Sequence, residues 1–150
     1  MKIAIGSDHA GFDLKENLKK LLKEKGYELD DLGAETFDSQ DDYPEFGRRV
    51  AEAVASGEYD RGIIMCGTGI GISISANKVP GVRAAVCNNT DMAIVSRAHN
   101  NANVLALGGR IVAKEMALDI ATVWLDTPFP GGERHERRLK QIADIENNRK

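Results

Sequence analysis

The chain has 150 residues, enough for one domain with a sizeable core, and its 42% hydrophobic and 29% charged content is that of an ordinary globular protein. A net charge of -3 argues against a nucleic-acid binder, whose footprint is a strongly basic face. Apolar runs are too short to span a bilayer, and Lys2-Ile3-Ala4-Ile5-Gly6 is too short for the apolar region of a secretory signal, so a cytoplasmic protein with no membrane partner is expected.

In chain order, Ile3-Ala4-Ile5 reads as a strand ending at Gly6. Leu14, Leu18, Leu21 and Leu22 then recur at helical spacing, and Gly26 is a C-terminal stop. Tyr27 to Leu32 is a weaker second strand. Pro44 suits the first turn of a helix whose buried stripe is Phe46, Val50 and Val54, ended by Gly57. Ile63-Ile64-Met65 is a third strand, apolar throughout as a strand covered on both faces should be. A short helix follows from about Ile70 to Asn77, and Val82 to Val86 is a fourth strand. Thr90 is expected to cap a helix carrying Met92 and Val95 and ending near His99. Val104 to Leu107 is the fifth strand, followed by a helix through Met116, Ile120 and Val123. Thr127-Pro128-Phe129-Pro130-Gly131-Gly132 breaks the pattern, and a last amphipathic helix bears Leu139, Ile142 and Ile145.

Strand-helix alternation of this kind predicts a three-layer, Rossmann-like α/β fold. Its five-stranded parallel sheet is expected to have the flavodoxin-like order 2-1-3-4-5, with helices on both faces. One domain is expected over residues 1–150, an α/β core over 1–126 and a linker with an extra helix over 127–150.

In such sheets ligands bind beyond the carboxyl ends of the strands, where the strand order reverses. That crevice, between strands one and three, is bordered by Ser7-Asp8-His9-Ala10-Gly11 and Cys66-Gly67-Thr68-Gly69-Ile70-Gly71. The glycine run is ambiguous by itself and also suits a tight strand-to-helix turn. It is not a Walker loop, because no Gly-Lys-Ser/Thr follows, and Ile72 stands where a dinucleotide fingerprint needs its last glycine. What it offers is backbone N–H groups free to approach an anion.

Two cysteines, Cys66 and Cys87, make no disulfide framework and have no metal spacing. Cys87, inside an apolar run, is expected to be a buried inert thiol. A thiol at a helix N-terminus, as at Cys66, has its thiolate favoured and can act as base or nucleophile. Residues 67 to 72 contain no arginine, which argues against a cysteine phosphatase, and His9 is the only histidine near enough to serve a cysteine hydrolase. What remains is proton abstraction beside a carbonyl, with loop amides holding an enediolate oxygen.

Arg134 and Arg138, four residues apart on the last helix, and Arg110 after the fifth strand offer positive charge for a phosphate, though such arginines are also commonly just solvated. His99 ends a helix antiparallel to the strands and therefore lies near the amino edge of the sheet, away from Cys66. Its plain reading is a histidine against its own helix C-terminus. A catalytic His99 would have to serve the crevice of a partner subunit in a two-fold dimer.

With these residues the chain resembles the family of ribose-5-phosphate isomerase type B, which includes galactose-6-phosphate isomerase. The matching segments are Gly6-Ser7-Asp8-His9-Ala10-Gly11, Asp42-Tyr43-Pro44, Cys66-Gly67-Thr68-Gly69-Ile70-Gly71-Ile72-Ser73, Ala76-Asn77-Lys78, His99-Asn100, Asn103-Val104-Leu105-Ala106-Leu107-Gly108 and Gly131-Gly132. The resemblance covers essentially the whole chain. It implies cofactor-free, metal-free interconversion of ribose 5-phosphate and ribulose 5-phosphate, a step of the pentose phosphate pathway, through an enediol(ate). Cys66 would move the proton between C1 and C2, and Gly67, Gly69, Ile70 and Gly71 would form the anion hole. His99, with Thr68 and Asp8, would open the furanose ring. His9, Arg134 and Arg138 would hold the phosphate, while Asn100 and Arg110 contact sugar or phosphate. A homodimer with shared active sites, alone or paired into a tetramer, is implied. Some members use a carboxylate base in the glycine loop; residues 67 to 76 have none. Gly131-Gly132-Glu133-Arg134-His135 carries one residue more than the usual spacing, so Arg137 and Arg138 both stand as the second phosphate ligand, Arg138 keeping the four-residue interval. A hexose 6-phosphate isomerase, acting on allose or galactose 6-phosphate, and a non-catalytic phosphate- or nucleotide-binding module are the alternatives.

Overall fold

Three strands carry the centre of the protein because their residues can be buried on both faces. In the computed structural model, which describes residues 1–149, these are β1 (Lys2–Ser7), β3 (Arg61–Cys66) and β5 (Val104–Gly108). Ile3, Ala4, Ile5, Ile63, Ile64, Met65 and Val104 through Leu107 have no exposed surface. Two strands that cannot be covered this way take the edges: β2 (Glu28–Asp31), with only Leu29 buried, and β4 (Ala84–Val86), half-buried throughout. All pairings are parallel, and the order is β2-β1-β3-β5-β4.

The five-stranded parallel sheet is as expected, but its last two strands exchange places relative to 2-1-3-4-5. The interior position beside β3 goes to the fully apolar β5, and the three-residue β4 is left at the rim. The reversal between β1 and β3 is unaffected, so the crevice stays where the sequence puts it.

Side chains alternating along the strands feed two cores. Ile63, Met65, Leu105 and Leu107 point to the face covered by α1 (Phe12–Glu24), α4 (Thr90–Ala98) and α5 (Lys114–Asp126). There they meet Leu14, Leu18, Leu22, Ala93, Ile120 and Trp124. Ile64, Cys66, Val104 and Ala106 point to α2 (Tyr43–Ala55) and α3 (Ile70–Ala76), against Phe46, Val50, Ile72 and Ala76. Burying one such aliphatic side chain stabilises the fold by about 1.5–3 kcal/mol.

The cap of α4 is Asn89 rather than Thr90: its Oδ1 accepts the Met92 N–H at 2.8 Å, and Thr90 is already helical. Asn is the better cap of the two, and both are common enough there that the neighbouring Thr90 also fits the pattern. The last helix, α6 (Glu133–Asn147), has no buried residue; Ile142 and Ile145 are exposed, and Glu146 Oε2 ties it to the Gly81 amide at 2.9 Å. Among the described residues no helix is long and apolar enough to cross a membrane.

Candidate active site

Parallel register brings Ser7 beside Met65 and Cys66 beside Gly108, so the loops after β1, β3 and β5 leave the sheet together. The first loop turns at once because Asp8 Oδ1 accepts the amides of Ala10 and Gly11 at 3.0 and 3.1 Å, winding His9–Gly11 into a single 3-10 turn. Burial pushes the Asp8 carboxyl above its ordinary range, against the Gly11 amide and the neighbouring His9, which pull it down.

The second loop folds over the sulfur. The Gly69 N–H donates to Cys66 Sγ at 3.2 Å, and the Ile70 N–H donates to Thr68 Oγ1 at 3.2 Å. Gly69 has φ +80, and a Cβ there would stand 3.0 Å from the Leu107 carbonyl carbon, so the turn needs glycine on both counts. The loop after β5 crosses back over it: the amides of Gly109 and Arg110 donate to the carbonyls of Cys66 and Gly67 at 2.8 and 2.9 Å. These two bonds hold the Arg110 backbone directly beside the glycine loop.

Between the loops lies an open cavity of about 440 Å³. Of the residues picked out in the sequence, Asp8, His9, Cys66, Gly67, Thr68, Ile70, Gly71 and Arg110 line it, and Gly69 completes the loop behind them. Cys66 is 5% exposed, a sulfur in the cavity wall rather than on the surface. Cys87 lies in the opposite core, where burial pushes its thiol up.

Two more side chains shape the site without having been assigned a part. Tyr43 opens α2 and lines the cavity; a Cβ on Gly71 would stand 2.6 Å from its ring, so the ring covers the start of α3. Asp-Tyr-Pro is among the matching segments, but nothing in that tripeptide says what it faces. Asp41 accepts two hydrogen bonds from His9 through Oδ1, from the backbone amide at 2.9 Å and from Nδ1 at 2.7 Å. The hydrogen bond to Asp41 raises the pKa of His9; nearby Asp8 acts the same way, while partial burial and Arg110 oppose it. Ligand atoms of Asp8, His9 and Asp41 lie within 4.8 Å of one another, but Nδ1 of the ring is engaged with Asp41, and Asp8 Oδ1 with two amides. His9 and Asp41 are hydrogen-bonded to each other, and Asp8 stands beside them bonded to its own turn.

The other picked residues lie elsewhere. His99 follows α4, exposed, its amide donating to Val95 O at 2.9 Å and its ring stacked on His135 with centroids 4.5 Å apart. Partial burial lowers the pKa of His135, with His99, Arg134 and Arg138 pushing the same way. Arg134 and Arg138 are exposed on α6, whereas Arg137 approaches Glu133 at 3.9 Å. Asn100 borders a different cavity of about 310 Å³, beside Arg83 and Ile142. The chain thus presents a thiol crevice at the carboxyl edge and, apart from it, a patch of two histidines and two guanidinium groups with no ion-pair partner among the described residues.

Relatives share this architecture over its full length. A family model described as Ribose/Galactose Isomerase matches residues 3–142. Ribose-5-phosphate isomerase B of Escherichia coli is 49% identical over 149 residues, covering 99% of this chain and 98% of that protein. The structure of Clostridium thermocellum ribose-5-phosphate isomerase B has a TM-score of 0.95 at 57% identity and covers 98% of each chain. That of the Mycoplasma genitalium ribose-5-phosphate isomerase B, with bound ribulose 5-phosphate, has a TM-score of 0.94 at 42% identity, covering 99% of this chain and 97% of the other.

The chain belongs to the ribose/galactose isomerase family. It is an isomerase, an intramolecular oxidoreductase, and this sets aside the alternative of a non-catalytic binding module.

Proposed function

We propose that the protein interconverts ribose 5-phosphate and ribulose 5-phosphate through an enediolate, with Cys66 as the base. The observation that carries this reading is the Cys66 sulfur in the crevice wall, facing a loop whose Gly69 amide donates to it.

With the open-chain aldose in the crevice, the Cys66 thiolate takes the proton from C2. The C2–H electron pair becomes the C1=C2 bond and the C1 carbonyl pair moves onto O1, where free amides of the Gly67–Gly71 loop offset the charge. The Cys66 thiol, whose captured proton can exchange with solvent, then gives a proton to C1 while the O2 proton passes to O1, leaving the ketose. Carbon and proton counts balance, and no redox partner is needed.

Ring opening and phosphate binding need more groups than the crevice of one protomer supplies. His9 and Arg110 are the cations in it; His99, Asn100, Arg134 and Arg138 are exposed outside it. In our reading those four serve the crevice of a second copy, His99 opening the furanose with Thr68 and Asp8, and the arginines holding phosphate with His9. Exposed Ile70 and Ile74 on α3, beside the crevice, support such pairing. A cytoplasmic place in pentose phosphate metabolism belongs to the same reading.

The test is a substrate panel. Ribose 5-phosphate should give ketose without added metal and with higher kcat/KM than allose or galactose 6-phosphate. A higher kcat/KM on a hexose 6-phosphate would reassign the substrate and leave the chemistry intact.

A further inference from the structure

Asp41 lies in the segment between β2 and α2, 32 residues from His9 in sequence. Its Oδ1 nevertheless accepts from His9 twice, from the backbone amide and from the ring Nδ1, and so fixes both where the residue stands and how its ring is turned. Its other oxygen, Oδ2, is buried with no partner among the described residues. The Asp41 side chain is 11% exposed, so solvent screens its pull on the ring only weakly. The segment is anchored further back by Lys15, whose Nζ donates to Asp31 and to the Ala34 carbonyl.

With Nδ1 committed to Asp41, Nε2 is the ring nitrogen that remains without a protein partner among the described residues, and His9 lines the crevice. We propose that Asp41 is a positioning residue for substrate, setting His9 so that Nε2–H is the donor offered to the phosphate. The proposal rests on the assignment of His9 as a phosphate ligand. The charged and titratable groups around the ring are Asp41, Asp8 in its own turn and Arg110 after β5, with Cys66 and Tyr43 lining the same cavity. Asp41 and Asp8 favour the imidazolium and Arg110 disfavours it. The net effect raises the His9 pKa above the ordinary 6.5. A charged donor for phosphate therefore persists to a pH at which an unassisted histidine would already be neutral.

Asp41→Asn separates charge from shape, because it keeps an acceptor for both N–H groups and removes the negative charge. Two readouts are followed over pH: the NMR titration of the His9 ring, and KM and kcat for ribose 5-phosphate. The expected result is a lower His9 pKa in the variant, with the alkaline rise in KM moving down by the same amount. Near neutral pH KM should rise about tenfold, the loss of one charge-assisted hydrogen bond to phosphate, while kcat changes by less than about twofold. A merely structural role would lower the Tm without moving that limb.

A His9 titration that does not move in the variant overturns the link between Asp41 and His9. A titration that moves while the KM profile stays fixed overturns the proposal at its other end, because His9 is then not the phosphate ligand. Should Asp41→Asn fail to fold, the wild-type protein still tests both ends. The NMR titration of His9 must lie above the ordinary 6.5, a value at or below it overturning the link to Asp41. Sulfate, whose charge is constant in this range, probes the anion end by inhibition. Inhibition must weaken as His9 loses its proton; a constant that is flat through the His9 titration contradicts the proposal.

Discussion

The amide of Gly69 donates to the sulfur of Cys66 at 3.2 Å, and only a left-handed residue at 69 can bring it there. Gly69→Ala would strain φ and press a methyl group against the Leu107 carbonyl, so the loop must shift. Backbone strain of this kind costs about 1–3 kcal/mol. A 1 Å misplacement of a reacting group costs about 100-fold in rate. We therefore expect a fall in kcat of that order, larger than a stability loss alone would explain. Steady-state kinetics and thermal unfolding on the same preparation check the two effects separately.

The separation of His99 from the Cys66 crevice predicts complementation. Cys66→Ala and His99→Ala should each be inactive alone. After random subunit exchange, half the dimers are hybrids with one intact site of two, so about a quarter of wild-type activity should return. No recovery after exchange verified by mass spectrometry would mean that His99 does not act across a subunit boundary.

Lys15 ties α1 to the edge strand β2 through a buried charge. Its side chain is fully buried, and Nζ donates to both Asp31 oxygens at 2.9 and 2.7 Å and to the Ala34 carbonyl. Lys15→Ala leaves the Ala34 carbonyl without its donor and Asp31 with only Lys19 and the Gly33 amide, and should cost about 3 kcal/mol in denaturant unfolding. Burial raises the Asp31 pKa, but hydrogen bonds from Lys15 and Lys19 outweigh it and the net shift is downward. A depressed carboxyl pKa stabilises the fold above the unfolded value, about 4, and that stability is lost as pH falls through the lower folded value. Wild-type protein should therefore lose stability below about pH 4, and the loss should be smaller in Lys15→Ala, measured by urea unfolding from pH 5 to 2.

Arg97 and Arg83 hold the turn that carries His99 and Asn100. Arg97 Nη1 donates to Asn101 Oδ1 and Arg83 Nη2 to Asn101 O, both at 2.9 Å, while Asn101 itself sits at φ +44. Asn is among the few residues that adopt this conformation readily. Asn101→Ala should cost about 1–2 kcal/mol in thermal or urea unfolding. It should also lower kcat more than it raises KM, because His99 is set in place by the same turn.

The central strands were legible because residues buried on both faces must read as continuous apolar runs, as at Ile63-Ile64-Met65 and Val104-Leu105-Ala106-Leu107. The exchange of β4 and β5 was not, since Ala84-Ala85-Val86 is also apolar and its half-burial depends on what packs beside it. In the crevice, glycines and a cysteine at a strand end announce a ligand loop by local chemistry. Asp41 gives no such signal: it is one of four acids between Glu35 and Asp42, and only a contact across 32 residues distinguishes it.

The most direct test of the central claim is hydrogen exchange at C2 of the aldose and C1 of the ketose. In D2O, the wild-type protein should incorporate solvent deuterium into ribose 5-phosphate and ribulose 5-phosphate, read by NMR. Cys66→Ala, folded to the same Tm, should incorporate none above background. Undiminished exchange in Cys66→Ala would contradict the account, because some other group would then be moving the proton.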